Sequence, residues 1–222
     1  MPRGNPTVAA LSAVVVLSAV AVLATGAAAG AAPDERQVSA LLFPTAKIEE
    51  VRALGPGVLP VLARLYERSD PQQRAVVAEA FYALGWKSPD AKRVLMRDVH
   101  TQDAHLRLQV QWALGRVSDD PDVVDVLLAN MQDDGNPLFR DKAACALASD
   151  QIHLAPAQKL RLFEGLIQSL DSENPQVRQI ALQALQILTG QTKGFLPGAA
   201  PETRHRAVDE WKQWLAEYRS NL

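Results

Sequence analysis

Beyond Pro44 the apolar residues recur at intervals of three and four, and no segment sustains the apolar–polar alternation of a half-buried strand. Val124, Leu127, Leu128 and Met131 fall on one helical stripe, as do Leu162, Phe163, Leu166, Ile167 and Leu170. Helix starts are marked by Asp70-Pro71, Ser88-Pro89, Asp120-Pro121, Asn136-Pro137 and Asn174-Pro175. Ser, Asp and Asn accept hydrogen bonds from the free amides of a first turn, and proline at the first helical position loses nothing by lacking an N–H. Ala155-Pro156 and Ala200-Pro201 keep the proline without a capping side chain, while Gly85, Gly115 and Gly190 are expected to stop helices. The pattern predicts an all-α chain.

Four arginines, each four residues past a cap position, reveal a repeat. Arg74, Arg107, Arg140 and Arg178 are spaced by 33, 33 and 38 residues. Six residues after each stands Ala80, Ala113, Ala146 or Ala184, and after that Phe81, Leu114, Leu147 or Leu185. Three residues after each stands Val77, Val110, Ala143 or Ala181. These columns fall at about 240°, 340° and 300° around a helix, a single stripe whose small residues let a neighbour approach closely. The expected helix pairs span Gly57–Gly85, Ser88–Ser118, Asp120–Ala148 and Ala155–Thr189, after one or two lead-in helices between Asp34 and Leu54. No such pair buries its stripe alone, so the pairs must stack.

The run Asn-Pro-x-Val-Arg-x-x-Ala-x-x-Ala-Leu at Asn174 to Leu185, echoed from Asn136 to Leu147, resembles the second helix of HEAT repeats, in particular the shorter kind of secreted bacterial proteins. The resemblance extends over about Lys47 to Thr189 and implies a right-handed, armadillo-like α-solenoid of about four helix pairs. Gln73 and Ala104 depart from it, standing where an apolar residue and a proline are usual. By resemblance, Arg74, Arg107, Arg140 and Arg178 would form a structural ladder, pairing with acidic loop residues of adjacent repeats. Past Leu188-Thr189-Gly190-Gln191, a helix from about Pro201 to Arg219 carries Ala207, Val208, Trp211, Trp214, Leu215 and Tyr218 on one face. Such a helix caps the open end of an array; the alternative is that its tryptophan pair engages a partner.

Arg3 precedes a stretch, Val8 to Ala32, with no charged residue, and Ala29-Gly30-Ala31 satisfies the small-x-small rule for cleavage before Ala32. Residues 1–31 therefore read as a signal peptide, with an uncleaved membrane anchor as the alternative. The chain then divides into a lead-in at 32–56, an array at 57–190, and a loop and cap at 191–222. Export, to the periplasm or beyond the cell, is expected; the anchor would instead hold the chain at the inner membrane. With 23 Lys and Arg against 25 Asp and Glu, the net charge of −2 argues against nucleic acid as a partner. Cys145 is the only cysteine, which excludes a disulfide framework.

Little of the chain suggests catalysis. His100, Asp103 and His105 are expected in the turn of repeat two, and Asp133 and Asp134 in that of repeat three, an edge where an ion could sit but where the spacing fixes no geometry. Cys145, mid-helix among alanines, lacks an activating neighbour. A binding face is more concrete. The column five residues after each arginine, nearly opposite the stripe, holds Glu79, Trp112, Cys145 and Gln183, and adjacent columns add Tyr82, Asp141, Gln179 and Gln186. Trp112 and Tyr82 are the candidate anchors, because aromatic residues concentrate binding energy; the alternative is that a neighbouring helix covers Trp112. The expectation is a monomeric, cofactor-free, non-catalytic scaffold for a protein partner in the bacterial envelope. Alternatives are a tethered accessory subunit and a metal-dependent enzyme at the His100–Asp134 edge.

Overall fold

The computed structural model describes residues 33–43, 45–148 and 154–222. The expected signal or anchor segment lies outside the described residues, among which there are eleven α-helices and no strand. These are α1 (Glu35–Leu42), α2 (Ile48–Ala53), α3 (Leu59–Arg68), α4 (Pro71–Leu84), α5 (Pro89–Leu95), α6 (Ala104–Val117), α7 (Pro121–Asp133), α8 (Pro137–Ala148), α9 (Pro156–Ser169), α10 (Pro175–Thr189) and α11 (Pro201–Ser220).

Most of the predicted caps form. Asp70, Ser88, Asp103 and Asn174 each accept a backbone amide of the following first turn, and Asn136 accepts the amide of Leu138. Asp120 does not cap α7; its carboxylate takes Lys92 at 2.6 Å instead, since an ammonium from the preceding repeat is a stronger partner than an amide. Gly85 and Gly190 end α4 and α10 in the left-handed conformation, with φ of 70° and 72°. Gly115 does not stop a helix as expected. It lies inside α6, where a bare Cα lets α8 come close: a Cβ there would stand 2.9 Å from the carbonyl oxygen of Ala146.

Consecutive helices pair as α3–α4, α5–α6, α7–α8 and α9–α10, and the second helices stack in order, α4 on α6 on α8 on α10. The alanine and leucine columns make this stack possible. Val77, Ala80, Phe81, Val110, Ala113, Leu114, Ala143, Ala146, Leu147, Ala181 and Leu185 are all buried in one continuous core. The fold is an all-α solenoid of four helix pairs. The lead-in extends the same arrangement, because α1 packs on α2 and α3 while α2 packs on α4, so the two short helices form a reduced fifth pair. At the other end α11 lies on α9, burying Trp211 completely and leaving Trp214 and Tyr218 half-buried over Phe163.

Candidate functional site

The face opposite the core stripe is built from the second helices. On it Glu79 and Gln183 are exposed, whereas Trp112 and Cys145 are half-buried. Gln179 and Gln186 are exposed as well, and Tyr82 is half-buried. The structure brings Tyr82 of α4 and Trp112 of α6 together, their ring centres 6.0 Å apart with planes tilted by 36°. No neighbouring helix covers Trp112 completely; it rests against the core and keeps part of its surface open.

Two cations flank the aromatic pair. The Arg116 guanidinium lies over the Tyr82 ring at 5.0 Å, in the space that a side chain on Gly85 would crowd, and the Lys142 ammonium is 6.0 Å from the Trp112 ring centre. Lys142 also meets Asp141 at 3.1 Å. Stacking of this kind helps hold planar side chains in place. Farther along, Asp141, Cys145, Ile180, Gln183 and Ile187 line a dimple of about 30 Å³, with Ile187 51% exposed. Arg116, Lys142 and Ile187 were not among the predicted binding residues. They stand two or nine residues after a ladder arginine, at about 200° or 180°, and would have been found by widening the columns.

The ladder arginines all line the helix-pair turns, but with differing partners. Arg74 meets Asp98 at 3.3 Å, and Asp98 accepts the Tyr66 hydroxyl at 2.8 Å. Burial, reinforced by Asp98, raises the Tyr66 hydroxyl far above its ordinary pKa, so it stays protonated. Arg107 pairs with Asp134 and lies over the Phe139 ring at 4.6 Å. Arg140 reaches Gln176 at 3.0 Å and the Asp134 carbonyl, and Arg178 reaches the carbonyls of Ser172, Glu173 and Pro197. Acidic partners thus serve the first two rungs; an amide and backbone carbonyls replace them in the others, where no carboxylate meets the guanidinium among the described residues.

At the edge formed by the turns of repeats two and three, His105 lies in the first turn of α6 rather than in the preceding loop, and the Asp103 carboxylate caps that helix. Among the described residues no three His, Cys, Asp or Glu side chains are grouped to hold a metal ion. Nor is any described helix long and apolar enough to cross a membrane.

With this architecture in place, the comparison with known families is direct. Residues 58–148 match a family model of HEAT repeats, which covers the pairs α3–α4, α5–α6 and α7–α8. By this match, residues 58–148 of the chain are HEAT repeats. Repeats one and two, which depart most from the sequence motif, lie inside the match, and the Asn174–Leu185 copy that carries the motif best lies outside it. No curated protein matches the chain. HEAT repeats generally mediate protein–protein interaction.

Proposed function

We propose that the chain is a non-catalytic scaffold of the bacterial cell envelope that binds a protein partner across the face of α4, α6, α8 and α10. The observation that carries this reading is the half-exposed Tyr82–Trp112 pair, held between Arg116 and Lys142 on the side away from the core. Aromatic rings fixed in this manner bury much area at low entropic cost, and the exposed Gln179, Gln183 and Gln186 supply hydrogen bonds beside them. Export is supported by the uncharged Val8–Ala32 run and the Ala29-Gly30-Ala31 site. The experiment is capture from envelope extract with the mature chain and with Trp112→Ala. Partner loss by a variant whose circular dichroism is unchanged supports the reading, and undiminished capture overturns it.

A second reading rests on the same run: uncleaved, its 25 residues would tether the scaffold as an accessory subunit. Mass spectrometry of the exported chain separates the two, since cleavage removes residues 1–31.

A further inference from the structure

Three of the four ladder arginines use Nε to hold an acceptor. Arg74 Nε donates to the Tyr66 carbonyl, Arg140 Nε to Gln176 and Arg178 Nε to the Pro197 carbonyl. Arg107 Nε is buried and has no partner. Its repeat also differs in the connection between its two helices. The helices of the other pairs are joined by two, three or five residues, but α5 and α6 are joined by the eight residues 96–103, after an α5 of only seven. That loop brings no carbonyl to Arg107. A cavity of about 620 Å³ lies there instead, with His100, Gln102, Arg107, Asn130, Asp133 and Phe139 in its wall. Asn130 is only 3% exposed, and its Nδ2 likewise lacks a partner.

We propose that this cavity binds an extended polypeptide segment of a partner protein. Backbone carbonyls of the segment supply the acceptors missing at Arg107 and Asn130, in the role that the chain's own carbonyls play at Arg74 and Arg178. A lysine or arginine of the segment meets Asp133, which is exposed on the rim. The charges choose this occupant over an anion. Arg107 is already compensated by Asp134, so Asp133 leaves the cavity with a negative excess that repels phosphate or carboxylate. A neutral carbonyl pays no such penalty, and an unmet buried donor gains more from an acceptor than one that water already serves. Both nitrogens are buried, so binding requires the Asn130 amide to turn and the Arg107 guanidinium to shift toward the segment. The small walls formed by Ala104, Ala129 and Gly135 leave room for a backbone. The site is separate from Trp112 and stands or falls without it.

The test is an NMR titration of the full chain with two blocked tripeptides, acetyl-Ala-Lys-Ala-amide and acetyl-Ala-Glu-Ala-amide. The lysine peptide is expected to shift the Arg107 Nε–H and Asn130 side-chain resonances saturably, together with the amides of residues 104–107 and 133–136. The glutamate peptide is expected to bind about fivefold more weakly, and Asp133→Asn to bring the two peptides within about twofold of each other, the range of one solvent-exposed charge pair. Trp112→Ala should change none of this, which keeps the outcome apart from that of the scaffold face. Absent shifts at Arg107 and Asn130, equal binding of both peptides, or a preference that survives Asp133→Asn would each overturn the proposal.

Discussion

Gly115 of α6 and Ala146 of α8 meet so closely that a single methyl group on the glycine would press within 2.9 Å of the alanine's carbonyl oxygen. Alanine inside a helix normally stabilises by about 1 kcal/mol over glycine. Here the obstacle is backbone, which no rotamer change relieves, and overpacking of that kind costs about 1–3 kcal/mol. Gly115→Ala is therefore expected to lower stability by about 1 kcal/mol net, read as a lower urea midpoint, by forcing α6 and α8 apart. Gly135→Ala, where nothing lies within 4 Å, is the control and should be near neutral. A stabilised Gly115→Ala would show that the seam is looser than the structure has it.

Gln111 occupies the same helix with the opposite problem. It is fully buried, and neither Nε2 nor Oε1 has a hydrogen-bond partner. Four residues after the other ladder arginines stand Ala78, Ala144 and Leu182, all buried and apolar. Replacing two unmet polar atoms by an apolar chain of similar shape removes a desolvation penalty of about 1–3 kcal/mol. Gln111→Met should thus raise stability by about 1 kcal/mol or more, seen as an increased thermal midpoint. A decrease would mean that the amide is satisfied in solution.

The helices were legible in the sequence because their signals are local. Proline at the first turn, a capping side chain before it and apolar residues at helical spacing act within a few residues, so α3 to α11 stand close to where the pattern puts them. What depended on a distant residue was not legible. Asp120 looks like a cap until Lys92 from another helix takes it, and Gly115 looks like a stop until Ala146 fills the space beside it. At the candidate face, Trp112 and Tyr82 could be assigned to one surface from their columns, but the stacking of Arg116 could not, since it spans two repeats. The cavity beside Arg107 left only indirect traces: Ala104 in place of proline, and a first helix shortened by a long loop. A missing partner has no sequence signature.

Two arginine–carboxylate pairs of similar chemistry should differ sharply when broken. Arg107 and Asp134 are buried, with side chains 11% and 5% exposed, whereas Arg161 and Asp125 are 54% and 43% exposed. Removing one member of a buried pair strands the other charge away from water and costs about 3–5 kcal/mol, while an exposed pair is worth about 0–1 kcal/mol. Arg107→Ala is expected to cost about 3 kcal/mol and Arg161→Ala less than about 1 kcal/mol by urea denaturation. Arg107→Met combined with Asp134→Leu should recover most of the loss, because no charge is then stranded. Equal costs for the two single variants would contradict the burial of the ladder.

The acid limb of stability is expected to run through Asp120 and Glu67. A hydrogen bond from Lys92 is the main reason that the Asp120 carboxyl titrates below its usual range, and one from Arg93 does the same for Glu67. A carboxyl with a depressed pKa in the folded chain binds its proton more readily when unfolded. Its contribution is complete above the ordinary carboxylate pKa of about 4 and is lost as pH falls from there through the lower folded value. Lys92 acts in the opposite direction. Burial alone would lower its pKa, but hydrogen bonds to Asp120 and Asp122 raise it above the usual lysine value. Its contribution is present below about pH 10 and disappears as pH rises through the folded value. The urea midpoint should therefore fall between pH 5 and pH 3, and the Asp120→Asn, Glu67→Gln double variant should show a shallower fall that converges on the parent at the acid end. Lys92→Met should blunt both the Asp120 share of that fall and the alkaline loss. If the double variant descended as steeply as the parent, the acid sensitivity would have to reside in other carboxylates.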